Sequence, residues 1–276
     1  ISNTPTPFHF LTEEYITSLI RPRGKFSHKG TFGHALLIAG SYGMTGAAVL
    51  AARACIRSGT GLLTSHIHRL GYEIMQTAVP ESLCEVDSSP VCFTGYNVLE
   101  KYSAIGLGPG IGQSPETVKA VRSLLESVKK PLVVDADALN ILAGESQLMR
   151  TLPENTIFTP HPGEFDRIAG ESANGAKRHA AAMRFAKDNN VILILKGAYT
   201  SVILPDGRCY FNSTGNPGMA TGGSGDVLTG VILALLSQGY HPAEAALMGT
   251  YVHGLAGDMA AEVMGHAYHN MFGLSC

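Results

Sequence analysis

The sequence predicts an α/β fold of three layers, α/β/α, built on a mainly parallel central sheet. Three observations carry that expectation. Short apolar runs recur through the chain with no polar face of their own, as strands covered on both sides require. Stretches of helical periodicity separate them, the alternation that leads to a parallel sheet with helices on two faces. Glycines cluster at 40–46, 59–61, 106–112 and 215–230, where backbone must come close to a ligand or another element. No linker, composition break or internal repeat divides the chain, so residues 1–276 are expected to form one domain.

Taken in order, His34–Ala39 (HALLIA) reads as a buried strand, followed by a glycine-rich loop and a helix through Ala47–Arg57. Gly61–His66 is a second strand. Ser103–Leu107 and Leu132–Asp135 are two more; between them Val118, Val121, Leu124, Leu125 and Val128 stand at helical spacing. Thr156–Thr159 is a strand, Ala176–Asp188 an amphipathic helix, and Val191–Lys196 (VILILK) the most apolar strand. Thr200–Leu204 and Arg208–Asn212 flank a Pro205-Asp206-Gly207 turn and should pair as a hairpin. Helices over Asp226–Ser237 and Ala243–Val263 close the readable part.

Composition narrows the function. The 20 Lys and Arg nearly balance the 22 Asp and Glu, which argues against a general nucleic-acid or membrane-surface binder. Hydrophobic residues reach 45% while charged residues are 15%, so the chain has ample core and little material for a disordered tail. No apolar run is long enough to span a membrane, and the amino terminus shows no secretory signal. It also lacks an initiator Met, so its start is expected to be processed or trimmed. Cys55, Cys84, Cys92, Cys209 and Cys276 form no CxxC pair and are expected to be free thiols, which points to the cytoplasm.

The strongest chemical signal is Asn216–Leu228, NPGMATGGSGDVL. Near-bare backbone runs into a strongly apolar helix, whose amino terminus carries unpaired N–H groups and roughly half a positive charge. Glycines ahead of it let those N–H groups close around an anion. Asp226 begins the helix beside that cradle. A bare Gly-Asp would suggest a capping residue; after Gly222, Gly223, Ser224 and Gly225 it reads as catalytic.

Other segments leave alternatives open. GLGPGIG (Gly106–Gly112) misses the dinucleotide spacing and is either a ligand loop at the sheet's carboxyl edge or a tight turn. His161, between Pro160 and Pro162, either faces the ligand crevice or is structural. Asp135 and Asp137 could orient Mg²⁺ or a substrate hydroxyl, or Asp137 could cap the next turn. Lys196 either reaches phosphate or snorkels at the sheet rim. Glu262, His266 and His269 lack a third strong metal ligand and read as a solvated helix end. No GxSxG elbow supports a hydrolase triad.

SHKGTFG (Ser27–Gly33), AGSYGMTGAA (Ala39–Ala48), GLGPG, DADALN (Asp135–Asn140), TPHPGE (Thr159–Glu164), KGAYT (Lys196–Thr200) and GNPGMATGGSGDVLTG (Gly215–Gly230) together resemble the ADP-dependent NAD(P)H-hydrate dehydratases. The resemblance spans about residues 20 to 260. It implies a ribokinase-like fold and a repair reaction: the S epimer of hydrated NADH or NADPH is dehydrated while ADP becomes AMP and phosphate. It further implies that Ala47, Gly110, His161 and Asp226 contact the hydrated dinucleotide. Lys196, Gly197, Ala198, Tyr199 and Thr200, with Gly225, would hold the adenine nucleotide, with Gly223, Ser224 and Gly225 serving Asp226 in catalysis. Mg²⁺ is expected with the nucleotide, its protein ligands unassigned, and a homotetramer is implied.

Two departures stand out. The family commonly carries one more helical segment at the carboxyl end, whereas this chain stops at HNMFGLSC. Some relatives are fused to an epimerase domain for which this chain has no room, so the epimerase is expected to be a separate protein. A small-alcohol kinase of the same fold, acting on hydroxyethylthiazole for example, would use the same cradle and is the alternative. A nucleotide sensor without turnover would require a silent Asp226.

Overall fold

A computed structural model describes residues 6–265. Ten strands form one sheet: β1 (Phe8–Phe10), β2 (His34–Ile38), β3 (Leu62–Ile67), β4 (Leu83–Val86), β5 (Ala104–Leu107), β6 (Leu132–Val134), β7 (Ile157–Phe158), β8 (Ile192–Leu195), β9 (Ser201–Ile203) and β10 (Cys209–Phe211). Their order is β1-β10-β9-β8-β7-β6-β5-β2-β3-β4. Neighbours run parallel except around β9, which is antiparallel to both β8 and β10. Leu36 pairs with Ile105 and Thr64, so the glycine loops after β2 and β5 leave the sheet side by side.

The strands are apolar on both faces because both faces are covered. Leu37, Val133, Ile192 and Ile194 point into one core, and Leu36, Ile38, Val134 and Leu193 into the other. The first core lies under α1 (Glu13–Leu19), α2 (Thr45–Arg57), α3 (Tyr72–Ala78), α8 (Ser224–Ser237) and α9 (Pro242–Met264). The second lies under α4 (Pro115–Ser127), α5 (Ala136–Gly144), α6 (Pro162–Ala169) and α7 (Gly175–Asp188). Three layers result.

Helix α2 is nearly all small residues where it meets α8, and Ala51 and Ala52 are fully buried. Gly230 of α8 lets the two backbones touch: a Cβ there would lie 2.1 Å from the Ala51 carbonyl oxygen. Twelve of the fourteen α8 residues are buried, which is why its sequence shows no polar face.

The expected strands and hairpin are present with edges moved by a residue or two. The hairpin turns at Gly207, whose N–H donates to the Leu204 carbonyl, while the Arg208 N–H donates to Asp206 Oδ1. One boundary matters for chemistry. Helix α8 starts at Ser224, capped by Gly223 in the left-handed region at φ 94°, so Asp226 lies inside the first turn instead of beginning the helix. It is not the capping residue. The proposed helix-end cluster of Glu262, His266 and His269 includes two histidines, and the departing tail, that lie outside the described residues.

Candidate active site

The loops after β6, β7 and β8 and the start of α8 converge at the carboxyl edge of the parallel strands. Lys196 follows β8, and its Nζ donates to Asp135 Oδ1 at 3.1 Å, just beyond β6. The other Asp135 oxygen accepts from Thr229 Oγ1 at 2.8 Å, so this nearly inaccessible carboxylate joins α8 to both loops. Glu164 of α6 stands 4.0 Å from the same Lys196 Nζ. Gly225 lies over the pair: a Cβ there would be 3.3 Å from Lys196 Nζ and 3.8 Å from Asp135 Oδ2.

Ala136, between Asp135 and Asp137, has φ 48°, an unusual value for a residue with a side chain. That turn sends the two carboxylates in different directions. Asp135 goes to Lys196, whereas Asp137 accepts the Gly112 N–H at 2.9 Å and Gln113 Nε2 at 3.2 Å. Asp137 therefore secures the GLGPGIG loop and does not act as a cap. That loop passes so close to β6 that a Cβ on Gly108 would lie 1.9 Å from the Asp135 carbonyl oxygen.

A cavity of about 620 Å³ opens beside this junction. Lys196, Gly197, Ala198, Thr200, Ser224, Gly225 and His161 are among the residues that line it. Tyr199 is not among the lining residues and is 73% exposed. Ala47 and Gly110 form a second group: a Cβ on Gly110 would be 3.0 Å from the Ala47 Cβ. Ser41 Oγ donates to the Gly110 carbonyl at 2.8 Å.

Asp226 is not among the residues that line the cavity, but the charges it feels belong to both groups. Its carboxyl is pushed up to about 6, chiefly by burial and then by the neighbouring Asp135 carboxylate, while Lys196 opposes the rise and Asp137 adds to it. It thus feels Lys196 and Asp135 beside the cavity and Asp137 beneath the Gly110–Gly112 loop. A carboxylate with that ionisation is suited to accept a proton at neutral pH.

His161 departs from a freely placed ligand-facing side chain. Its Nδ1 accepts the Gly163 and Glu164 N–H groups at 3.1 and 3.2 Å, and Glu164 Oε2 accepts the His161 N–H at 2.8 Å. This reciprocal cap starts α6. Its Nε2 side remains at the cavity edge, 3.5 Å from Glu164 Oε1. His161 is structural through one nitrogen and available to a ligand through the other.

His253 was not singled out by sequence reasoning. Its Nε2 lies 3.4 Å from Ser224 Oγ, and burial lowers its ring to about 4, leaving the ring neutral. It stands in α9 among apolar and small residues, and no local spacing marks it. Among the described residues no group of three His, Cys, Asp or Glu side chains is placed to hold a metal.

A family model described as NAD(P)H-hydrate dehydratase matches residues 35–274. The bifunctional NAD(P)H-hydrate repair enzyme of Moorella thermoacetica is 41% identical over 265 residues, covering 92% of this chain and 50% of that protein. The chain thus spans about half the length of the first curated relatives it matches. The ADP-dependent (S)-NAD(P)H-hydrate dehydratase of Bacillus subtilis is 36% identical over 267 residues, covering 95% of this chain and 92% of that one. A crystal structure of the Bacillus subtilis ADP/ATP-dependent NAD(P)H-hydrate dehydratase, co-crystallised with ATP and Mg²⁺, superposes with a TM-score of 0.82 at 33% identity, over 97% of this chain and 95% of that one. Ribokinase of Thermotoga maritima (TM-score 0.55, 14% identity, 81% of this chain and 92% of that one) shares the fold alone. The fold is ribokinase-like.

Proposed function

The chain belongs to the NAD(P)H-hydrate dehydratase family, and from that premise we propose that it repairs hydrated nicotinamide nucleotides. In this reading it is a hydro-lyase that returns the S epimer of hydrated NADH or NADPH to NAD(P)H while ADP becomes AMP and phosphate. The observation that carries the reading is the placement of Asp226. Burial and the Asp135 and Asp137 carboxylates push its carboxyl up while Lys196 opposes the rise, in the first turn of α8 whose Gly225 lies against Lys196.

The adenine nucleotide would occupy the cavity walled by Lys196, Gly197, Ala198, Thr200 and Gly225. Tyr199, exposed beside Ala198 and Thr200, would contact the nucleotide from outside the cavity. The hydrated dinucleotide would approach past Ala47 and Gly110, where small residues leave the backbone accessible, with His161 contributing its Nε2 edge. Asp226 takes the proton of the ring hydroxyl as that oxygen attacks the terminal phosphorus of ADP. The N–H groups at the start of α8, at Gly223, Ser224 and Gly225, stabilise the charge of the transferring group, and AMP leaves. The ring nitrogen then expels phosphate, and loss of the neighbouring carbon-bound proton restores the double bond.

A nucleotide-borne Mg²⁺ fits these residues better than a protein cage would, since magnesium keeps waters and takes few carboxylates. It would neutralise phosphate charge, with Asp135 and Glu164 the carboxylates nearest Lys196. We read residues 1–276 as one domain on the continuity of the ten-stranded sheet. A cytoplasmic setting accords with free Cys55, Cys84, Cys92 and Cys209 and with the lack, among the described residues, of a helix able to cross a membrane. A homotetramer would cover the exposed apolar stripe Val252, Leu255 and Met259 on α9. The partner activity in the pathway would be an NAD(P)H-hydrate epimerase.

Incubation with hydrated NADH and either ADP or ATP, followed by the near-ultraviolet absorbance of the restored nicotinamide, tests the activity. Heavy-oxygen label in the hydrate hydroxyl should appear in the released phosphate. Unlabelled phosphate would overturn the ester intermediate. Phosphorylation of hydroxyethylthiazole without action on the hydrate would favour the kinase instead.

A further inference from the structure

One face of α9 is given over to holding the segment that leads into the phosphate cradle. Asn212 Nδ2 donates to the Thr250 carbonyl at 3.4 Å, and Thr214 Oγ1 donates to the Tyr251 carbonyl at 2.8 Å. One turn on, Gly254 lets the chain lie against the helix: a Cβ there would be 2.3 Å from Thr214 Oγ1 and 2.8 Å from the Thr214 carbonyl carbon. A further turn on, Asp258 receives both ends of the next residue pair. Its Oδ2 accepts the Gly215 N–H at 2.7 Å and its Oδ1 accepts Asn216 Nδ2 at 2.9 Å. Residues 250, 254 and 258 lie four apart, so they form one stripe along the helix.

Thr214, Gly215 and Asn216, together with Met219 and Thr221, line the same cavity as Lys196. The segment itself has almost no regular structure, with a short turn at Pro217–Met219 as its sole helical piece among the described residues. It needs an external anchor.

We infer that Asp258 is a positioning residue for nucleotide binding: by clamping Gly215 and Asn216 it fixes a part of the cavity lining that the nucleotide meets. The inference rests on the proposed use of the cavity for ADP. The clamp has a fixed polarity. Asn216 Oδ1 accepts the Gly218 N–H at 3.0 Å, so the Asn216 amide cannot turn to offer an acceptor to residue 258 without losing that bond. Both groups facing position 258 are donors, and only a side chain with two acceptor oxygens satisfies both.

Asp258→Asn keeps the shape and puts an NH₂ against one of the two donors. Loosening the wall lowers the fraction of molecules ready to bind, which raises the apparent dissociation constant by the inverse of that fraction. Loss of a hydrogen bond to a charged group corresponds to roughly 10–100-fold in affinity. Asp258 is distant in role from Asp226, so turnover at saturating ADP should stay within about threefold.

The test measures ADP binding by calorimetry, and KM against kcat for ADP, in wild type and Asp258→Asn. Wild type that binds ADP, beside a variant whose Kd and KM rise at least about tenfold with kcat nearly kept, supports the inference. A Kd within about threefold of wild type overturns it and leaves the proposed activity standing. Unchanged KM with a lower kcat also overturns it, since a merely structural role lowers the active fraction. Wild type that binds no ADP removes the proposed activity and the inference together. If the variant fails to fold, amide exchange on the wild-type chain decides: the Gly215 N–H should be protected and gain protection with ADP, and free exchange in both states overturns the clamp.

Discussion

Lys196 and Asp135, sixty-one positions apart, meet at 3.1 Å beneath Gly225 and tie the end of β8 to the turn before α5. Asp135 is 1% exposed, and its two oxygens meet this ammonium and the Thr229 hydroxyl. The same ammonium faces the cavity. One side chain thus serves the fold and the anion site.

Lys196→Ala should therefore show two losses at once. Removing one partner of a largely buried pair should lower the stability of the ligand-free protein by roughly 1–3 kcal/mol. The ADP-dependent rise in melting temperature should shrink as well. In wild type that rise reflects roughly 2.7 kcal/mol at a hundredfold excess over Kd. Differential scanning fluorimetry with and without ADP reads both effects; an unchanged ADP shift would contradict the phosphate role of Lys196.

Gly225→Val should act on the ligand more than on the fold. Its side chain would enter the space between the cavity and Lys196 Nζ, 3.3 Å from the ideal Cβ, where a flexible ammonium can yield. ADP binding should weaken at least about tenfold, a binding loss near 1.4 kcal/mol, read by calorimetry.

Gly230→Ala separates packing from chemistry. The new methyl would stand 2.1 Å from the Ala51 carbonyl oxygen and 2.9 Å from the Ala54 Cβ, so α2 and α8 must move apart. Overpacking at a backbone contact should cost roughly 1–3 kcal/mol in urea denaturation, with no preferential effect on ADP affinity. A variant as stable as wild type would contradict the close approach of these helices.

These positions also mark how far the sequence was legible. The buried strands β2, β5, β6 and β8 were readable because their apolar runs are short and bounded by glycine, proline or polar residues. β1 and β4 were not: each is a strand of three or four residues at a sheet edge, half exposed, with too few residues to show a period. Lys196 and Gly225 could be named from local pattern, and both line the cavity. Asp258 and His253 could not, because their meaning comes from what α9 packs against, not from their neighbours in sequence. Asp135 could be named from local pattern, but its pairing with Lys196 could not, because the order of strands β6, β7 and β8 sets it. For Asp226, pattern singled out the residue and put it at the helix start, whereas α8 begins two residues earlier, at Ser224, behind the left-handed Gly223.

The raised ionisation of Asp226 has a measurable consequence for stability. Its folded value, about 6, lies above its ordinary 3.8, so the protonated form favours the fold. Stability from this group is full below the ordinary value and is lost as pH rises toward 6. Asp226→Asn removes that penalty, which partial solvent screening leaves at roughly 1–2 kcal/mol. The variant's stability relative to wild type should be greatest at pH above about 7 and fade toward pH 4, followed by thermal melts across that range. A difference independent of pH would contradict the burial of a charged Asp226.

The most direct measurement is the turnover of hydrated NADH by Asp226→Asn, beside its affinity for ADP. Asn keeps the size of the side chain, and the α8 cap is Gly223, so the helix start is unaffected. What disappears is the capacity to accept a proton. With Asp226 as general base, kcat should fall at least about a hundredfold while ADP binding stays within several-fold of wild type. A variant that folds, binds ADP and retains more than about a tenth of wild-type kcat would contradict the assignment of Asp226 as the base.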